Sequence, residues 1–155
     1  MTERYLKALE FATKKHKGQF RTGGLEYVTH PIAVAEILKE KGYGEDEQIA
    51  GLFHDLLEDT DATEDEILAL GGENVLTAVK LLTKAKGYVM SEYISGILAN
   101  PIAKAVKGAD RLHNLRCAVV CSDEFKKRYI KESNEWYLSF DEEIKVAVKA
   151  LEETL

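Results

Sequence analysis

His54, Asp55, Glu58 and Asp59 crowd one imidazole and three carboxylates into GLFHDLLEDT, the stretch from Gly51 to Thr60. On a helix turning about 100° per residue, with His54 at zero, Glu58 falls at about 40°, Asp55 at about 100° and Asp59 at about 140°. Leu52, Phe53, Leu56 and Leu57 fall between about 160° and 300°. One face is then apolar and the other wholly ionisable. No lysine or arginine stands among the acids, so the carboxylates repel one another. A bound divalent cation removes that penalty. Taken alone, the window also reads as a solvated acidic face running on into EDTDATEDE.

A second window, KGADRLHNLR from Lys107 to Arg116, changes the balance. Asp110, His113, Asn114 and Cys117 stand at i, i+3, i+4 and i+7 and make one polar stripe. Leu112, Leu115 and Val119 make the opposite apolar one. In a third window, EYVTHPIAVAEIL, His30 precedes Pro31 at the mouth of a helix, where the backbone is stiff. His30, His54, Asp55 and Asp110 together offer two imidazoles and two carboxylates. That mixture suits Mn²⁺, with Fe²⁺, Co²⁺ and Zn²⁺ also open. Four ligands from three elements leave coordination positions for water and substrate. Glu58 lies one turn after His54, and Asp59 one turn after Asp55. Both reach the edge of such a site, where a carboxylate can hold a water and take its proton.

The elements that must position these residues are helical throughout. Tyr5, Leu6, Leu9, Ala12 and Thr13 form a stripe behind an N-cap at Thr2. Gly18, Gly23 and Gly24 then break the chain. Pro31 and Pro101 open helices, and Thr63 with Glu66 has capping-box spacing. No segment alternates as a strand does. The expected architecture is an all-α compact bundle of about eight or nine helices, one domain over residues 1–155.

Composition narrows the function further. The 155 residues are 45% hydrophobic and 31% charged, with a formal charge of -6. No strongly basic surface is expected for gripping a nucleic-acid polymer. Small anionic ligands remain open, since a few local cations outweigh a weak overall field. Lys17, Lys84 and Lys107 are phosphate candidates that also read as plain surface. Cys117 and Cys121 are expected as reduced, half-buried thiols. The N-terminus lacks an apolar h-region and no stretch approaches a membrane span, which points to the cytoplasm. Trp136 and Phe140 are expected to close the core. His16 and His113 are expected to be structural, His113 by hydrogen-bonding a backbone group. Nothing in the sequence chooses between a monomer and a homodimer.

The three windows in order, HKGQFRTGG…YVTHPIAVAEIL, GLFHDLLEDT and KGADRLHNLR, resemble the HD-domain metal-dependent phosphohydrolases. Within that superfamily the chain is most similar to the hydrolase domain of RelA/SpoT-type alarmone enzymes, the small SpoT-like hydrolases above all. The resemblance runs from about Ala8 to Tyr137. It implies an HD-domain bundle whose metal ligands are His30, His54, Asp55 and Asp110, usually with manganese. It implies that Glu58 and Asp59 position and deprotonate the attacking water. It further implies nucleotide contacts from Arg21, Asn114 and Tyr137. The implied reaction releases 3′-pyrophosphate from guanosine 3′,5′-bis(diphosphate), ppGpp, or its pentaphosphate relative, a small nucleotide of the stringent response; the alternatives are an HD-family nucleotidase or pyrophosphohydrolase on another nucleotide and a non-catalytic metal- and nucleotide-binding regulatory module. No synthetase half is expected, since the chain ends at Leu155. Three departures bear on substrate choice: Thr22 replaces a basic residue, Gly108 a leucine and Cys117 a threonine.

Overall fold

The computed structural model describes residues 1–155 and contains ten α-helices. In chain order they are α1 (Glu3–Lys15), α2 (Thr29–Glu40), α3 (Glu45–Phe53), α4 (Leu56–Asp59), α5 (Glu64–Gly71), α6 (Glu73–Leu82), α7 (Met90–Leu98), α8 (Pro101–Cys117), α9 (Asp123–Trp136) and α10 (Glu142–Glu152). A 3₁₀ turn, Ala118–Val120, follows α8. The one extended pairing is an isolated bridge between Phe20 and Glu26. The tenth helix arises because GLFHDLLEDT is not one helix. The α-helical pattern lapses at His54 and Asp55, so α3 ends at Phe53 and the four-residue α4 resumes at Leu56.

Local signals set the helix ends. The Thr2 side chain accepts from the Tyr5 N–H, and Thr63 with Glu66 closes the full capping box. Asn100 caps α8 by accepting from the Ala103 N–H, with Pro101 in the first turn where no N–H is needed. α2 starts at Thr29, two residues before Pro31, so His30 is held inside its first turn. Two apolar stripes are narrower than their sequences suggest. Leu6 of α1 is exposed while Ala8 and Ala12 are buried. Val119 is also exposed, because α8 has already given way to the 3₁₀ turn.

One cluster of 32 buried apolar residues forms the core. α2, α3 and α8 pack against one another at its centre. Leu52, Phe53 and Leu56 are fully buried there, each stabilising by about 1.5–3 kcal/mol relative to exposure. Two glycines permit close approach. A Cβ on Gly51 would meet Leu38 Cδ1 at 3.1 Å, so α3 lies tight on α2. A Cβ on Gly108 would meet the Phe140 carbonyl oxygen at 3.2 Å, so α8 lies tight on the chain entering α10. The glycine that departs from the family pattern therefore has a packing partner. Phe140 and Trp136 pack on the core as expected. Cys117 and Cys121 are half-buried free thiols. No helix is long and apolar enough to cross a membrane.

Candidate functional site

Three elements bring donor atoms together. His30 comes from the first turn of α2, His54 from the turn between α3 and α4, and Asp110 from the middle of α8. One ligand atom from each lies within 4.8 Å of the others, and all three residues are buried. His30 Nε2 is 2.8 Å from Asp110 Oδ1, and His54 Nε2 is 3.4 Å from the same oxygen. Asp55 stands at the edge of this group, with Oδ2 3.1 Å from His54 Nε2. The Tyr27 hydroxyl donates to that same Oδ2.

The hydrogen bonds around the group orient it. His54 Nδ1 is 2.6 Å from the Gly51 carbonyl oxygen, which can only accept. A ring proton is therefore on Nδ1, and Nε2 is the nitrogen that faces inward. His54 Nε2 is fully buried and makes no hydrogen bond. Around it lie Asp55 and Asp110. Burial alone lowers the pKa of His54, but these two carboxylates carry it well above the ordinary range. Burial raises Asp110, but Lys107 and His54 pull it well below its usual value. Asp55 is likewise raised by burial and lowered more strongly by His54, to about 2. Two ionised carboxylates thus surround an inward imidazole nitrogen, and the pocket favours positive charge there. A divalent ion supplies that charge, and the donor set of imidazoles and carboxylates fits it.

Asp110 is itself held on both oxygens. Asn114 Nδ2 donates to Oδ1 at 3.1 Å, and Lys107 Nζ lies 3.2 Å from Oδ2. Lys107 is not plain surface. Its ammonium is nearly enclosed and lies over the rings of Tyr93 and Tyr137, at 5.8 and 5.5 Å. On α4, Glu58 accepts a hydrogen bond from the Lys84 backbone N–H. Asp59 is solvent-accessible, and its pKa is raised by partial burial and then by the charges of Asp55 and Glu58. The Lys84 ammonium lies 5.2 Å from the Tyr88 ring and 5.4 Å from the Tyr93 ring.

Arg21 closes the other side. Its Nη2 donates to Asn114 Oδ1 at 2.9 Å, and its Nη1 lies 3.2 Å from His113 Nδ1. A cleft of about 310 Å³ opens beside it, lined by Arg21, Tyr27, Asn114, Cys117, Phe125 and Tyr129 among others.

The structure therefore gathers His30, His54, Asp55, Asp110, Asn114 and Arg21 around one point, with Glu58 and Asp59 on the adjoining short helix. Two expected nucleotide contacts are not gathered there. Lys17 is exposed beyond the end of α1, and its side chain makes no hydrogen bond or ion pair. Tyr137 is fully buried, its ring 4.0 Å from the Arg111 guanidinium carbon and its hydroxyl unpartnered. The C-terminal cap of α9 turns it into the core rather than outward. Tyr27 and Lys107 are part of the site, and spacing was their available signal: each lies three residues before a candidate ligand, His30 and Asp110. His113 was expected to bond a backbone group. Instead it meets side chains only, those of Arg21, His30 and Cys117. His16 Nδ1 lies 2.8 Å from Gln19 Oε1, while its Nε2 is buried without a partner.

The chain belongs to the HD domain family, whose model matches residues 8–92, more than half of the chain. It is 38% identical over 143 residues to the guanosine-3′,5′-bis(diphosphate) 3′-pyrophosphohydrolase of Aquifex aeolicus, covering 87% of this chain and 20% of that protein. It is 36% identical over 145 residues to the GTP pyrophosphokinase of Myxococcus xanthus, covering 84% of this chain and 19% of that one. The chain thus spans about one fifth of the length of these curated relatives. Among solved structures, a metazoan ortholog of SpoT that hydrolyses ppGpp superposes with a TM-score of 0.82 at 26% identity. That match covers 97% of this chain and 94% of the other.

Proposed function

We propose that the 155 residues act as one metal-dependent hydrolase domain that removes pyrophosphate from the 3′ position of ppGpp or its pentaphosphate relative. The observation that carries this reading is a pairing on α8: Asp110 faces the two buried imidazoles, while Asn114, one turn on, ties Asp110 to Arg21. A cation-seeking pocket and a phosphate-seeking guanidinium are thus adjoining parts of one site. The names of the Aquifex aeolicus relative and of the metazoan ortholog support the substrate.

His30, His54, Asp55 and Asp110 hold the ion, with Mn²⁺ as the proposed species. When bound, it supplies Lewis acidity toward a phosphoryl oxygen and lowers the pKa of a coordinated water. The chain's residues do the rest. Asp59, its pKa raised toward the working range, takes the proton of the attacking water. Glu58, fixed by the Lys84 N–H, holds that water in place. Water adds to phosphorus, the bond to the 3′ oxygen breaks, and that oxygen leaves with a proton as the sugar hydroxyl. Arg21 offers a planar fork to phosphate oxygens. Phe125 and Tyr129, with ring centroids 5.2 Å apart, wall a cleft of a size for a purine base. The proposed setting is the cytoplasm.

Purified protein is incubated with Mn²⁺ and ppGpp, GTP or GDP, and products are resolved by ion exchange. Release of GDP and pyrophosphate from ppGpp alone is expected. Cleavage of GTP at an equal rate, or an inert ppGpp, overturns the substrate.

A further inference from the structure

His113 contacts the other partners in a way that fixes a proton. Arg21 has donors only, so its Nη1, 3.2 Å from His113 Nδ1, must donate to a lone pair there. His30 Nδ1 is 2.7 Å from that same His113 nitrogen. Two lone pairs at that distance repel, so with Arg21 donating to the His113 lone pair, His30 carries a proton on Nδ1. The His113 proton is then on Nε2, where Cys117 Sγ lies 3.5 Å away. The rings of His30 and His113 meet edge to edge, with centroids 5.0 Å apart and 24° between their planes.

The alternative for His30 is close at hand. Its Nε2 lies 2.8 Å from Asp110 Oδ1. A proton there makes a good charge-assisted hydrogen bond to the carboxylate, but such a ring cannot bind a metal. Which nitrogen carries the proton thus decides whether His30 is a ligand or merely a partner of Asp110. We propose that His113 is a positioning residue that holds His30 in its metal-binding tautomer, and that Arg21 enforces this by keeping the proton off His113 Nδ1, which then accepts from both neighbours. This rests on the metal and nucleotide reading above and deepens it. Through His113, the arm expected to meet phosphate and the ligand expected to meet the ion share one chain of hydrogen bonds. A second link, Arg21 to Asn114 to Asp110, runs in parallel.

The first test needs neither metal nor nucleotide. The full chain labelled with ¹⁵N-histidine is examined by two-bond ¹⁵N–¹H correlation at neutral pH. His30 in the wild type is expected as the Nδ1–H tautomer; an Nε2–H tautomer overturns the proposal. His113→Phe keeps a ring in the same space and removes the acceptor. It should move the His30 proton to Nε2 and weaken Mn²⁺ binding by calorimetry about 10–100-fold. His113→Asn places an amide oxygen where Nδ1 stood and should restore both. Arg21→Ala should weaken Mn²⁺ binding in the wild-type background, and by less in His113→Phe, where only the link through Asn114 remains. A folded His113→Phe that keeps the Nδ1–H tautomer and binds Mn²⁺ within twofold of wild type overturns the proposal. So does a folded His113→Asn that binds as poorly as a ligand deletion. None of these readouts uses ppGpp, so failure of the substrate assay leaves them intact, and their failure leaves the substrate assay intact.

Discussion

α8 and the α3–α4 pair aim acids at the same point with different backbones. α8 runs unbroken for 17 residues, and Asp110 and Asn114 share its inner face because they are four apart. His54 and Asp55 are consecutive, and consecutive residues of a regular helix diverge by about 100°. Yet their side chains meet at 3.1 Å. The break after Phe53 makes this meeting feasible: Asp55 has φ -102° and ψ -2°, off the helical values, and its carboxylate swings toward His54 and Tyr27. A regular helix brings together side chains one turn apart, while a broken one brings together neighbours. The break costs little where the core is already filled by Leu52, Phe53 and Leu56 on both sides of it.

Four experiments probe this difference, in order of expected effect. Asp110→Asn removes the carboxylate shared by both histidines. Turnover should fall below detection, and calorimetry should show no Mn²⁺ binding. At about 100 times the dissociation constant, Mn²⁺ should stabilise the wild type by about 2.7 kcal/mol, a rise in Tm of about 5–10 °C, and the variant should show none. If Asp110→Asn keeps the rise, α8 is not a ligand helix. Glu58→Gln should lower kcat by about 10²–10⁴-fold with metal content by mass spectrometry unchanged. Loss of metal as well would make α4 part of the ion's cradle. Tyr27→Phe frees Asp55 from the tyrosine hydroxyl and should weaken Mn²⁺ binding about tenfold with little change in kcat at saturating metal. An unchanged affinity would mean that the chain break alone sets Asp55. Gly108→Ala presses a methyl on the Phe140 carbonyl oxygen and should lower stability by about 1 kcal/mol in urea unfolding, leaving Mn²⁺ affinity intact. A larger change in affinity than in stability would tie the depth of α8 to the metal group.

Much of this was legible in the residues. The α8 stripe was readable because a period of 3.6 maps sequence directly onto one face, and the caps at Thr2 and Thr63 announce themselves by type. The wheel drawn through GLFHDLLEDT placed the apolar face correctly but missed the break, which no proline or glycine marks at His54 and Asp55. Tyr137 was misplaced for the opposite reason: a tyrosine near the end of α9 can turn either way, and packing on Arg111 turned it inward. Lys107 read as surface because lysine usually is, and only the closeness of Asp110, Tyr93 and Tyr137 encloses it.

By itself the sequence determined what repeats along one helix: the all-α class, the capped starts of α1 and α5, the inward stripe of α8 and the identity of the acids and imidazoles. Tertiary structure decided what depends on distance between elements. It set His30 against Asp110 across 80 positions, placed Arg21 on His113 and Asn114, and settled which nitrogen of His54 faces inward. The reason is physical. Periodicity is a property of one backbone and can be counted, whereas a hydrogen-bond network needs several backbones fixed to within a few tenths of an ångström, and only the packed core of α2, α3 and α8 does that.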